Sequence, residues 1–422
     1  MAAEQSAFHN AQVNRLARIF LPFAVGHFLS YIFRTINAII AGDLEADVGV
    51  SASELGLLTS TYLLAFACFQ LPLGVLLDRI GPRRVESVLL AIAGIGALVF
   101  ALGQNLLTLT AGRALIGLGV SACLMASFKM FALWYAQDRL PAMNGYLLAF
   151  GGLGAITATV PAEASLGIIG WRGLFIGLAI ACVGLALVLW WVVPEKPTQG
   201  RVQPLGRQVA ELGGILRSRE FWHFAPAGML FPGGLMAIQG LWAGPWLRDV
   251  AGYERDVVAQ SLLWLAVATT VGFALWGTLT ARLSRMGLDS MQVVGGGMAL
   301  CCLCTAILAL QPGSFVLATW LLLGLSGASG TLLYALLSRS YDPALMGRVV
   351  TALNLMIFLG AFALQWGLGF LIELPAPEPG QRYAPLGYQL AFGVTAILQL
   401  LTLAWILWPR VRATPSAPPP AD

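Results

Sequence analysis

The chain has 422 residues, of which 58% are hydrophobic and only 10% are charged, and its mean hydropathy is +0.79. A soluble domain is about 45–50% apolar and about 25% charged, so a soluble protein of this composition could not cover its own surface. The composition excludes a soluble enzyme, a disordered protein and a secreted disulfide scaffold, and the net charge of +4 lacks the basic footprint of a nucleic-acid binder. A polytopic protein of the lipid bilayer remains.

Charged residues and turn formers divide the chain into apolar stretches that are long enough for helices to cross a bilayer. They lack the period-two alternation of barrel strands, and a helix satisfies its own backbone hydrogen bonds in lipid. We therefore predict an all-α fold of twelve transmembrane helices. The stretches lie at 16–41, 52–77, 85–104, 107–135, 140–162, 172–193, 221–247, 257–281, 290–311, 314–338, 348–373 and 386–408.

One sizeable polar segment interrupts this pattern and divides the chain into two halves. We predict an N-terminal six-helix bundle at 1–193, a cytoplasmic linker at 194–219, a C-terminal six-helix bundle at 220–408 and a disordered cytoplasmic tail at 409–422. Leu73–Arg79, which follows the second stretch, is weakly echoed by Trp276–Arg282 after the eighth. Internal repeats of this kind are typical of secondary transporters, whose substrate site lies between the repeats.

Most of the 24 Lys and Arg residues lie in one set of loops, which we place in the cytoplasm together with both termini. This predicts a multi-pass protein of the cell (inner) membrane. The first loop on the opposite side is acidic. The six cysteines fall within the apolar stretches, where we interpret them as small apolar residues, so we expect neither a metal site nor a cofactor.

The segment between the second and third stretches contains Gly74, Asp78, Arg79, Gly81, Arg83 and Arg84. In this spacing, the segment resembles a signature of the major facilitator superfamily. That signature has Gly, three residues, Asp-Arg, one residue, Gly, one residue and a basic residue. The fourth stretch adds a similar pattern around Arg113 and Gly117. The resemblance implies two six-helix bundles and a functional arginine at Arg113. The matching residues of the first pattern are Gly74, Asp78, Arg79, Gly81, Arg83 and Arg84.

We interpret these six residues, called the latch segment below, as a conformational latch. Asp78 can accept from a helix N-terminus or pair with Arg83 or Arg84, and such an ion pair can break and re-form. The alternative is that the basic residues only fix topology, to which an acid at position 78 would add nothing.

Polar residues in the first stretch fall on one helical face about 100° wide, which indicates a surface that faces water. Arg34 carries a planar fork that suits an oxyanion, so we predict that it binds substrate. The alternatives are that Arg34 pairs with Asp43 and that the histidine of this face makes a helix contact. The face consists of His27, Ser30, Tyr31, Arg34 and Asn37.

The second half offers amide and aromatic candidates, because its stretches carry no charge at depth. Gln239 and Trp242 share one face, as do Asn354 and Gln365, and packing is the alternative for each aromatic. Arg113 could contact substrate, couple protons or hold two helices together. Glu163, at the outer end of the fifth stretch, is assigned a coupling or structural role.

These features predict alternating-access transport of a small solute by a monomer without catalytic residues. Our first choice is uptake of a small organic anion coupled to an ion gradient of protons or sodium. Drug or metabolite efflux by proton antiport is the alternative, although Pro161 follows Val160 where antiporters of the family often carry Gly-Pro. A non-transporting receptor or scaffold is a minor alternative. An enzyme would need paired acids, a Ser/His pair or a metal cluster at depth.

Overall fold

A computed structural model describes residues 16–195, 205–311, 313–342, 345–377 and 382–408. The regular structure of these ranges is helical, which confirms that the fold is all-α. Eleven of the helical segments are long and apolar enough to cross a membrane. The predicted tail at 409–422 and residues 196–204 of the predicted linker lie outside the described residues.

In the first half, a π-helical turn at Leu16–Phe20 leads into eight helices. Capping fixes where α3 begins, because the Ser51 hydroxyl accepts from the Glu54 amide while the Glu54 carboxylate accepts from the Ser51 amide. The eight are α1 (Leu21–Thr35), α2 (Asn37–Val48), α3 (Ala52–Arg79), α4 (Pro82–Leu102), α5 (Leu106–Gly119), α6 (Cys123–Trp134), α7 (Leu140–Thr157) and α8 (Val160–Val192).

The second half follows the same pattern of long apolar helices, several of them interrupted. Short π or 3-10 turns at Ile238–Trp242, Gly313–Phe315 and Ala328–Leu332 lie between them. The helices are α9 (Leu205–Arg217), α10 (Arg219–Leu230), α11 (Pro232–Ala237), α12 (Ala243–Asp249), α13 (Arg255–Arg285), α14 (Ser290–Ala309), α15 (Val316–Gly327), α16 (Leu333–Ser338), α17 (Met346–Glu373) and α18 (Pro385–Leu407).

The boundary between the fifth and sixth predicted stretches differs from the expectation of a loop near 163–171. Helix α7 ends at Thr157, and α8 continues through that region until Gly170, where φ is 63° and ψ is 174°. A residue with a Cβ is strained in this conformation, so glycine marks the real break. Arg172, just beyond it, donates to the carbonyls of Ala101 and Gly103, which fixes the chain where α4 ends.

The two halves meet along α3 and α17. At one end of this contact, Ser51 Oγ donates to Glu373 at 2.9 Å, and further along the Phe66 and Phe358 rings stack at 4.2 Å. Small residues allow α3 and α17 to approach each other closely, since a Cβ at Gly56 would lie 2.8 Å from the Gln365 carbonyl oxygen. We call the end that contains Glu45 the Glu45 end, and the opposite end, which contains the latch segment, the Asp78 end.

A second close approach between the halves joins α2 to α12 at the Glu45 end. A Cβ at Gly244 would lie only 2.0 Å from the Ala38 carbonyl oxygen, and a backbone atom cannot move aside as a flexible side chain can. We therefore expect Gly244→Ala to destabilise the protein by roughly 1–3 kcal/mol, the usual cost of overpacking.

Thermal unfolding of the purified protein measures this effect. Gly277→Ala is the matched control, because a Cβ at Gly277 meets no atom within 4 Å. Equal melting temperatures for the two variants would contradict the close packing of α2 on α12.

Candidate functional site

Arg34 lies between the two halves, surrounded by aromatic rings. Its guanidinium carbon is 4.7 Å from the ring centroid of Tyr31, 5.5 Å from that of Phe66 and 5.3 Å from that of Phe358. Tyr31 and Phe66 belong to the first half, whereas Phe358 belongs to the second. Cation–π contacts from both halves thus hold one arginine at the interface.

Tyrosine hydroxyls complete the surroundings of Arg34. Tyr62, on α3, lies close to Arg34, and its hydroxyl donates to the Ser30 carbonyl at 3.4 Å. From the second half, the Tyr334 hydroxyl donates to Asn354 Oδ1 at 2.7 Å. Arg34 forms no ion pair with a carboxylate within the described ranges, and Asp43, its alternative partner, binds Arg255 instead. Aromatic rings therefore stabilise the positive charge of Arg34, but no carboxylate among the described residues neutralises it.

The other predicted residues of the first helical face have different surroundings. His27 is 2% exposed and packs edge-on against Tyr31, at a centroid distance of 5.0 Å, and against Gly151 of α7. Asn37 is also 2% exposed and begins α2 after the break at Ile36. The structure thus brings Tyr31 to Arg34, while His27 lies at a contact between helices.

The predicted residues of the second half divide into two groups. Trp242 Nε1 donates to the Gln365 carbonyl at 2.8 Å, and Gln365 Nε2 donates to Thr59 Oγ1 at 2.7 Å, so this group is buried in the contact with α3. Gln239 lines a small pocket between the halves together with Thr35 and Thr159, and Asn354 lies beside Tyr334.

Arg113 is enclosed within the first half. It is fully buried, with its guanidinium carbon 4.3 Å from the Phe100 centroid and 4.9 Å from the Phe175 centroid, and it lies 3.4 Å from the Phe33 carbonyl. These contacts join α1, α4, α5 and α8. Of the three roles left open for Arg113, this geometry favours the bond between helices.

The latch segment forms contacts that differ from those expected. Asp78 pairs with Lys129 of α6, which we did not predict, and Lys129 also donates to the Leu77 carbonyl at 2.7 Å. Arg84 pairs with Glu195 at 2.9 Å, after the end of α8. Gly81, at φ 91°, makes the turn in which Pro82 begins α4. Gly74 and Arg79 are exposed beside these pairs, and Arg83 contacts the Trp190 carbonyl.

Ion pairs join the two halves at the Glu45 end. Arg255 binds Asp43 through two hydrogen bonds of 2.9 and 2.7 Å and also pairs with Glu163. Glu45 pairs with Arg248 at 3.3 Å and with Arg382 at 3.0 Å. Each carboxylate belongs to the first half and each arginine to the second, so separating the halves at this end must break these contacts.

Sequence reasoning missed several residues of these sites. Tyr62 and Phe66 face Arg34 from a helix whose polar pattern is weak. Asp43, Glu45 and Asp47, expected in a loop, lie in α2, and the sequence did not indicate their arginine partners. Glu86, which the sequence analysis did not single out, is fully buried one turn into α4 against Gly26 and Cys123. Such partners are distant in sequence, so no local sequence pattern indicates them.

Comparison with known proteins identifies the family of this chain. The model of the Major Facilitator Superfamily matches residues 23–364. The chain is 23% identical over 304 residues to "Probable sulfoacetate transporter SauU" of Cupriavidus necator, covering 68% of this chain and 70% of that protein. It is also 23% identical over 295 residues to "Probable L-galactonate transporter" of Escherichia coli, covering 68% of this chain and 64% of that protein.

Solved structures show the same fold. A bacterial homologue of the human lysosomal transporter Spinster, in an inward-facing and occupied conformation, superposes with a TM-score of 0.74 at 17% identity, covering 92% of this chain and 96% of the other. The predicted family, the multi-pass membrane architecture and the expectation of a transporter that is not an enzyme are thereby confirmed. The chain belongs to the Major Facilitator Superfamily of membrane transporters.

Proposed function

We propose that this protein takes up a small organic anion by alternating access, driven by an ion gradient. The observation that carries the proposal is Arg34, a cation at the interface of the halves that has no carboxylate partner among the described residues. A charge at this depth costs about 2.5–3.5 kcal/mol on insertion scales, so its retention indicates a function. Sulfoacetate and L-galactonate, named for two relatives, are small organic anions, which supports the same substrate class.

We propose that the binding residues around Arg34 have two kinds of role. Tyr31, Asn354 and Gln239 present polar groups to the substrate, and Tyr62 orients the guanidinium. The remaining predicted residues support the site by packing behind the residues that contact the substrate, because their side chains are buried or bonded elsewhere. These are His27, Asn37, Trp242 and Gln365.

We further propose twelve transmembrane helices in a monomer of the inner membrane, with both termini in the cytoplasm. Helix α7 adds one span to the eleven apolar segments, with the break at Gly170 separating the fifth span from the sixth. The Glu45 end then faces outward, and the ion pairs of Arg255 with Asp43 and Glu163 close it. In this proposal the structure is the state in which the site is shut off from the outside.

Uptake of an anion requires a driving ion. Inward movement of one negative charge opposes the membrane potential by about 2.3 kcal/mol per 100 mV. We propose that protons or sodium ions enter with the substrate and offset this cost. Drug or metabolite efflux by proton antiport is the second candidate, favoured by the three aromatic rings that surround Arg34.

Replacing Arg34 tests the anion site directly. We expect Arg34→Gln to weaken binding of sulfoacetate or L-galactonate about 10- to 100-fold, since a charge-assisted hydrogen bond contributes about 1.5–3 kcal/mol. Arg34→Lys should lose less, because it keeps the charge without the fork. Ligand-induced shifts in melting temperature measure binding, and uptake into proteoliposomes measures transport.

Arg285→Gln is the control, because Arg285 lies exposed at the end of α13. Unchanged anion uptake by Arg34→Gln would refute the anion site. Export of uncharged drugs by wild type and by Arg34→Gln alike would instead support efflux.

The latch segment gives a second prediction. We expect Asp78→Asn to slow transport several-fold with little change in substrate affinity. The reason is that Asp78 pairs with Lys129 at the end of α3, more than two turns beyond the residues of α3 that contact Arg34. Lys129→Gln should act similarly, and the double variant should add little, as expected for partners in one pair. The maximal uptake rate and the half-saturating concentration measure the two effects. A loss of affinity alone would refute the latch.

A further inference from the structure

Glu45 is an acid of the first half that the second half encloses. Its side chain is 0% exposed, although it lies near the C-terminal end of α2, beyond the apolar part of the first span. The Tyr383 hydroxyl donates to Glu45 Oε1 at 3.2 Å, and the Arg382 and Arg248 guanidinium groups lie 3.0 and 3.3 Å from Oε2. Every one of these contacts crosses between the halves.

The positive charges around Glu45 offset only part of the free-energy cost of burying its ionised carboxylate. Arg248 bonds more closely to Asp249, at 2.5 and 3.0 Å, than to Glu45. Asp249 also adds a second negative charge, and it accepts from the Tyr388 hydroxyl at 2.6 Å. Arg382 is partly exposed, which weakens its attraction through screening by water.

The remaining acids on the same helix have their own partners. Asp43 binds Arg255, and Asp47 accepts from Trp171 and pairs with Arg172 at 2.9 Å. They therefore contribute little to the immediate surroundings of Glu45. Burial raises the pKa of the Glu45 carboxyl above its ordinary value, and the attraction of Arg248 and Arg382 offsets this only in part.

Opening the Glu45 end would remove all of these neighbours at once, because Arg248, Asp249, Arg382 and Tyr383 move with the second half. The carboxylate would then meet water, and its pKa would fall towards the ordinary value. Because the pKa of Glu45 is higher in the closed state than in the open state, the closed state binds more protons at pH values between these two pKa values. Lower pH therefore favours the closed state, within the window between these pKa values.

We propose that Glu45 is a proton-binding site that controls this gate: it takes up a proton from the outer solution as the Glu45 end closes and releases it as that end opens. The inference rests on the proposed function, because it assumes an alternating-access motion with the Glu45 end outward. The proton enters and leaves at one face. Glu45 thus sets the pH dependence of the gate without carrying the proton across the membrane.

Distances between spin labels test the proposal without any substrate. Leu107 and Leu310 are 79% and 80% exposed and lie in different halves, so each can be replaced by a labelled cysteine once the native cysteines are removed. We expect the short-distance, closed population to grow several-fold as the pH falls from about 8 to about 5. In Glu45→Gln, which mimics the protonated acid, the closed population should be high and independent of pH.

Two further variants complete the test. Glu163→Gln removes an acid from another ion pair at the same end, and it should keep the pH dependence of wild type. Arg382→Gln removes an attraction that favours the ionised form of Glu45, so the midpoint of closure should move to higher pH. The Arg382→Gln variant therefore tests the proposal even if Glu45→Gln does not fold.

The outcomes separate this proposal from the proposed function. Opening at low pH, or an unchanged pH dependence in Glu45→Gln, would overturn the role of Glu45 even if Arg34 binds anions as expected. Conversely, a pH-dependent gate together with normal anion uptake by Arg34→Gln would overturn the anion site and support Glu45.

Discussion

The cost of removing charge from water constrains the whole of this protein. Within the apolar helices of the first half, the described structure buries Arg113 without an ion pair and supports its charge with two aromatic rings and a backbone carbonyl. Arg34 is supported by rings as well, but those rings come from both halves. Movement of one half relative to the other therefore changes the surroundings of Arg34 and leaves those of Arg113 intact.

This difference relates the binding site to the motion of the protein. The halves contact each other from Ser51 and Glu373 at one end to Phe66 and Phe358, next to Arg34. In the proposed function, an anion bound at Arg34 adds negative charge where the described residues supply no carboxylate. It would thus stabilise the arrangement in which the rings and tyrosines of both halves close around it, and binding energy would favour the conformational change.

The two ends use charge in different ways. At the Glu45 end, carboxylates of the first half bind arginines of the second, so these contacts depend on the conformational state. At the Asp78 end, Asp78 and Lys129 both belong to the first half, and their pair holds α3 against α6. The contacts at the Glu45 end therefore depend on the arrangement of the halves, whereas the pair at the Asp78 end joins helices of one half.

The sequence by itself determined the class of the protein and the residues that must be exceptional. Scarcity of charge predicted membrane helices, the pattern around Asp78 indicated the family, and Arg34 was recognisable because a cation at depth requires a reason. Only the tertiary structure decided the partners: Lys129 for Asp78, the rings and Tyr62 for Arg34, and the arginines for Asp43, Glu45 and Glu163. Periodicity reports which face of a helix is polar, whereas a partner depends on how the helices pack. Between the halves, that packing joins residues about two hundred positions apart.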